Sequence, residues 1–238
     1  MLDIIIPVYN EGKNIKRQLM KISECIKVPK RVFIIYDFNE DDTLPVVQKI
    51  KNRFSFTILN VKNKYGKGAL NAIKTGLMTA SSDAVLVMMA DLSDKLEIVD
   101  KMYKMIIGNK ADIVCGSRYM KGGKQHGGPI LKGLLSRTAG ISLHILSGIP
   151  THDVTNSFKM YRKSMLEKIK IESVGGFEIG MEITVKAYLL GYRIKEIPTE
   201  WFDRSAGKSN FHMWKWMKHY LHWYFLCIKK RHLAHEKK

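Results

Sequence analysis

Cysteine is scarce: three residues in 238, Cys25, Cys115 and Cys227, too far apart for a disulfide framework or a zinc-ligand pattern. A reduced, cytoplasmic setting is therefore expected, with the thiols as lone buried groups. A secretory leader is not expected either. Residues 1–8 run straight into an apolar segment without a basic region or a cleavage site. No internal repeat is present, and the most aromatic segment, 211–228, is interrupted by too many polar residues to span a bilayer. Acidic residues are also in deficit, with 22 Asp and Glu against 40 Lys and Arg, a formal charge of +18. Such an excess calls for a polyanionic neighbour, whether nucleic acid, an anionic membrane surface or phosphorylated substrates.

What the chain does contain is enough apolar residue, 45%, for one substantial core. Apolar β-branched runs alternate with helical spacing. Strands are expected at 2–6, 32–36, 54–59, 84–89 and 112–115, and helices at 14–26, 43–53, 69–80 and 95–107. This alternation predicts an α/β fold with a mostly parallel, doubly wound sheet. The Gly-rich stretch 121–129 reads as a mobile loop. Further on, 130–146 reads as a helix, 157–161 as a strand, 180–190 as a helix and 192–197 as a strand. In such sheets ligands lie beyond the carboxyl ends of the strands.

Two acidic clusters fall at those ends. Asp37 directly follows a strand and suits a fixed acceptor for a nucleobase or ribose, whereas Asp41 or Asp42 with Thr43 reads as a helix N-cap. Asp91 follows the fourth strand. Its carboxylate suits Mg²⁺ or Mn²⁺, hard cations that take one or two carboxylates together with phosphate oxygens. Asp94 reads as a helix cap. Residues 211–238 form a separate feature, an amphipathic C-terminal helix and tail. Phe211, Trp214, Trp216, Tyr220, Trp223, Tyr224 and Phe225 alternate there with Lys and His ahead of Lys229, Lys230 and Arg231. That mixture suits a membrane interface, and packing on the chain's own domain is the alternative.

Together the motifs resemble the inverting GT-A glycosyltransferases of family 2, within them the dolichol-phosphate mannose synthase-like group. Residues 4–11 (IIIPVYNE) resemble that family's first strand and nucleotide-contacting turn, and 36–43 its second acidic motif. Met89-Ala90-Asp91 stands at its metal motif, and 112–119, 153–161 and 203–211 are similar to its later signatures. The resemblance implies a GT-A domain over 1–210 that moves a sugar from a UDP- or GDP-linked donor to a polyprenyl phosphate. It places Pro7, Tyr9, Asn10, Glu11, Asp37, Lys67, Gly68, Ala90 and Asp91 around the donor, with Asp91 as the metal ligand. It assigns Arg204 to the leaving diphosphate and Arg118 to the acceptor or diphosphate region; guanidinium forks match phosphate oxygens. Lys132, Arg137, Lys208 and Ser209 are candidate holders of the acceptor phosphate.

Two departures bear on chemistry. Tyr36 stands where the family has an Asp, and Met89 replaces the first metal carboxylate, which predicts weak metal affinity. After Thr155 the chain reads Asn156-Ser157-Phe158 instead of the Glu-Asp pair that resembles a base in hydroxyl-directed relatives. Glu182 is expected to brace a loop or a basic residue. A phosphate monoester is already ionised and needs positioning more than a base. Transfer to a glycan or envelope-polymer hydroxyl is the alternative. The family often adds spanning helices at the C-terminus. Peripheral attachment at the cytoplasmic face, or a separate membrane protein as partner, is expected in their place.

Two rivals from other classes fare worse. Gly66-x-Gly68 follows the third strand and has Asn71 where a dinucleotide fingerprint needs its third glycine. A nucleic-acid-binding module suits the charge, but the chain has no recognised motif for one and its two acidic clusters would repel phosphate; no nucleic-acid partner is expected.

Overall fold

The computed structural model describes residues 1–203 and the helix Met213–His235, the latter without the side chains of its first two and last five residues. In chain order the elements are β1 (Leu2–Pro7), α1 (Gly12–Cys25), β2 (Lys30–Tyr36), α2 (Thr43–Ile50), β3 (Thr57–Lys62), α3 (Ala69–Thr79), β4 (Ala84–Val87), α4 (Val99–Ile107) and β5 (Ile113–Ser117). There follow β6 (Lys124–His126), α5 (Ile130–Ser147), β7 (Lys159–Arg162), α6 (Lys163–Leu166), α7 (Ile179–Leu189), β8 (Ile194–Pro198), β9 (Glu200–Phe202) and α8 (Met213–His235). A seven-stranded sheet runs β3-β2-β1-β4-β7-β5-β8, and β6 pairs with β9 in a second, two-stranded sheet. All pairs in the large sheet are parallel except those made by β7, which is antiparallel to β4 and β5.

The run Ile4-Ile5-Ile6 shows why the strands are apolar throughout. Ile4 and Ile6 enter one core layer with α1 and α4, while Ile5 enters the opposite layer with α3 and α7. Helix α3 lies close on β1 because Gly76 stands where a Cβ would collide with the Ile5 side chain. Fully buried Asp3 ties the beginnings of three strands together. It takes Arg31 of β2 at 2.9 Å on each oxygen and the backbone N–H groups of Ser81 and Ser82, just before β4. At the far side Asp112 accepts from Arg162 of β7 and from Arg193 before β8.

Several expectations shift. The third strand begins at Thr57, because residues 51–53 form a 3₁₀ turn that feeds Phe54 and Phe56 into mutual packing instead of a ladder. The Gly-rich loop holds β6, whose partner β9 lies more than seventy residues on. Helix α8 continues to His235 and packs on α5 and α7. Trp223 and Cys227 are buried in the core, so part of the aromatic set is core instead of interface.

Candidate active site

Strand order reverses between β1 and β4, and the polar residues converge beyond the carboxyl ends of these strands. The turn after β1 carries Pro7, Tyr9, Asn10 and Glu11. Asn10 has φ 55°, and the turn is clamped from the β2–α2 loop. Asp41 accepts from the Asn10 N–H at 3.1 Å, Thr43 Oγ1 from the Glu11 N–H at 2.9 Å, and Asp42 from the Gly12 N–H at 2.8 Å. This corrects the capping expectation for Asp42 and Thr43, whose side chains hold the β1 turn instead; of the two alternatives it is Asp41 that makes a cap-like bond, its Oδ1 accepting from the Thr43 N–H at 2.9 Å. Half-exposed Tyr9 meets Phe38 edge-on at 5.4 Å, making an aromatic wall at the mouth.

Asp37 fixes a second loop. One oxygen accepts from the Gly68 N–H and the other from Asn63 Nδ2, both at 2.8 Å. Gly68 has φ 107°, a conformation that favours glycine, so this position needs it even without a dinucleotide fingerprint. Lys67 beside it is exposed. Of the residues expected around the donor, Asp37 and Gly68 are thus joined directly, with Lys67 next to Gly68, and Asp37 acts first on the loop.

After β4 the chain reads Ala90-Asp91-Leu92-Ser93-Asp94. Leu92 adopts φ 65°, a costly conformation for a Leu, and the resulting sharp turn includes hydrogen bonds to Asp91 Oδ1 from Ser93 Oγ at 2.6 Å and Ser93 N at 3.2 Å. Asp94 is no helix cap. The next helical turn starts at Leu96, and Asp94 is buried near Asp91 and bridged to Trp201. Burial, and then the neighbouring Asp91 charge, push the Asp94 carboxyl up to about 7.

Arg118 follows β5. Its guanidinium forks onto fully buried Asp153, with Nε at 2.7 Å and Nη2 at 2.9 Å, and its backbone N–H joins at 2.9 Å. Burial alone would raise Asp153, but the charge and hydrogen bonds of Arg118 outweigh it and hold the carboxyl below its usual value. Arg118 Nη2 also reaches Ser136 of α5 at 3.1 Å, where Tyr119 Oη donates at 3.0 Å. Arg118 and Asp153 both bear electrostatically on Asp94, so the four groups form one charged cluster. Asp153, Ser136 and Asp94 had no assigned role in the cluster from sequence; the available signals were the Asp91-x-x-Asp94 spacing and the place of Asp153 at the head of the 153–161 signature. Lys132 and Arg137 lie on α5, with Arg137 exposed, while Arg204, Lys208 and Ser209 lie outside the described residues.

The family description Glycosyl transferase family 2 matches residues 3–170, more than half the chain and all the strands just described up to β7. The chain belongs to this family. It is 29% identical over 213 residues to the dolichol-phosphate mannosyltransferase of Pyrococcus furiosus, covering 87% of this chain but 58% of that one. It is 29% identical over 214 residues to the polyprenol monophosphomannose synthase of Mycolicibacterium smegmatis, covering 87% and 79%. Among solved structures it resembles Mycobacterium tuberculosis glucosyl-3-phosphoglycerate synthase in complex with Mn²⁺, UDP-glucose and phosphoglyceric acid. That match has a TM-score of 0.69 at 13% identity and covers 96% of this chain and 80% of that one. It also resembles S. aureus TarS in complex with UDP-GlcNAc, with a TM-score of 0.64 at 18% identity, covering 96% and 66%. At these identities the likeness concerns the fold, which is of the GT-A type.

Proposed function

We propose that this family 2 member transfers a sugar, with inversion, from a nucleoside-diphosphate sugar to a polyprenyl phosphate at the cytoplasmic face of a membrane. The observation that carries it is the Asp91–Asp94 pair, two carboxylates buried side by side where the strand order reverses, in a protein of net charge +18. The names of the two curated relatives supply the acceptor class.

The donor set fits a hard divalent cation. Two carboxylates, one of them pushed up to about 7 by burial and then by its neighbour's charge, offer oxygen ligands and a charge to be neutralised. Among the described residues no group of three or more His, Cys, Asp or Glu is placed to bind a metal, so the donor's phosphates would complete the shell. Asp91 and Asp94 would hold Mg²⁺ or Mn²⁺, which when bound supplies positive charge to the departing diphosphate. The missing carboxylate at Met89 is thus made good three residues beyond Asp91 instead of two before it.

The clamped 7–11 turn and the Asp37–Gly68 loop bracket the nucleoside. Arg118, held by Asp153, places its positive charge where it acts on Asp94. A phosphate oxygen of the acceptor attacks the anomeric carbon, and the bond to the diphosphate oxygen breaks on the opposite face. No proton need be removed from an already ionised phosphate. In keeping with this, the carboxylates of α7 and its approach are bound into structure. Glu182 takes the Ser173 N–H at 2.8 Å and Lys186 Nζ at 2.6 Å, bracing both a loop and a basic residue, and Glu178 takes the Gly175 N–H at 2.7 Å.

Incubation of the purified protein with UDP- and GDP-sugars and a short polyprenyl phosphate in detergent, with and without Mn²⁺, tests the assignment. The expected product extracts into organic solvent and releases its sugar in mild acid. Label appearing only on hydroxyl acceptors would move the chain to the alternative acceptor class.

A further inference from the structure

Helix α5 is unlike an ordinary surface helix in being apolar on both faces. Its inner face presents Ser136, Gly140 and Leu143 to the body of the protein, yet its outer face is apolar as well. Ile130, Leu134 and Ile145 recur along one stripe and are 89%, 59% and 72% exposed, with Leu131 and Leu146 beside them. Helix α8 lies against α5, joined by the Tyr224 hydroxyl donating to Ser142 Oγ at 2.8 Å, and itself exposes Phe225. A contiguous apolar surface of this kind marks an interaction site.

Charge chooses the occupant. Neither residues 113–152 nor residues 204–235 contain a single Asp or Glu, whereas they contain five and seven Lys or Arg respectively. A second copy of the chain would press like charge on like charge. An anionic bilayer accepts both the apolar side chains and the surrounding cations. We propose that the outer face of α5, extended by α8, lies in the headgroup region of an anionic membrane. This deepens the proposed function: the opposite face of α5 carries Ser136 on Arg118, so the bilayer is brought within about one helix diameter, roughly 10 Å, of the charged cluster. The lipid-linked phosphate then reaches the site without leaving the membrane.

The test is flotation of the full chain with phosphatidylcholine vesicles, with and without phosphatidylglycerol, in the absence of sugar nucleotide and prenyl phosphate. Wild type is expected to bind anionic vesicles roughly tenfold or more tighter than neutral ones, and to be released by salt. The Leu134→Glu/Ile145→Glu variant, with unchanged circular dichroism, is expected to lose that binding while keeping whatever transfer the protein performs on a detergent-dispersed short acceptor. Binding by the folded variant at the wild-type level, or no wild-type preference for anionic vesicles, would overturn the assignment. So would a wild-type dimer that the variant dissociates, with no vesicle binding. Failure of transfer with vesicle binding intact would instead count against the proposed reaction alone.

Discussion

Asp94 and Asp91 illustrate how one backbone dihedral determines chemistry. Leu92 at φ 65° folds the chain back so that residues three apart share one buried space, and burial with like charge raises Asp94. Mn²⁺ should therefore raise the Tm of the wild type, an effect that thermal scanning should find lost in Asp91→Asn, since a ligand that binds only the folded state stabilises it by mass action. Arg118 makes the complementary point. Arg118→Met leaves the Asp153 carboxylate buried without its partner, and denaturant unfolding should show a loss of about 3–5 kcal/mol. The family resemblance picked out Arg118, and the apolar pattern placed Asp91 at a strand end. It could not reveal that Arg118 faces Asp153, 35 residues away, nor that Asp94 abandons the cap its neighbours suggest, because long-range pairing and a left-handed Leu leave no local pattern.

At the scale of elements, strands with apolar runs were legible because both their faces are buried. Their order was not, and neither was the antiparallel insertion of β7 between β4 and β5. The pairing of β6 with β9 depends on a partner far along the chain, so a Gly-rich stretch with little apolar content read as a loop. Helix α5 was placed correctly to within a residue, yet which of its faces is outward emerged only from packing. Gly140 sets that packing, since a Cβ there would overlap the His152 carbonyl oxygen next to Asp153. Gly140→Ala is expected to push α5 off this loop, costing about 1–3 kcal/mol and disturbing the Ser136–Arg118 contact; a Tm within error of wild type would contradict this. In α8, Trp223 is 5% exposed and donates to Ser173 Oγ at 3.2 Å. Trp223→Ala should cost about 3–5 kcal/mol by chemical denaturation, the signature of a core residue rather than an interfacial one.

Over the whole molecule, the carboxylates divide between holding the sheet and serving the crevice. Asp3, Asp112 and Asp153 are each buried, which alone would raise them, but their arginine partners hold each below the usual value of 3.8. A carboxyl lowered in the folded state stabilises the fold fully above its unfolded value and loses that contribution as pH falls through the folded one. Stability should therefore drop progressively below about pH 4, as Asp3 and Asp112 release the strands they suture and Asp153 releases Arg118, a loss that urea midpoints measured across that range would report. Among the described residues no helix is long and apolar enough to cross a membrane. The central claim is that the Asp91–Asp94 pair captures a nucleoside diphosphate through a divalent cation. Isothermal titration of UDP and GDP, in Mn²⁺ or in chelator, measures it directly. At least one nucleotide should bind the wild type in Mn²⁺, weaken by about tenfold or more in chelator, and bind Asp91→Asn no better in Mn²⁺ than in chelator. Undiminished, Mn²⁺-dependent binding by Asp91→Asn would contradict the account.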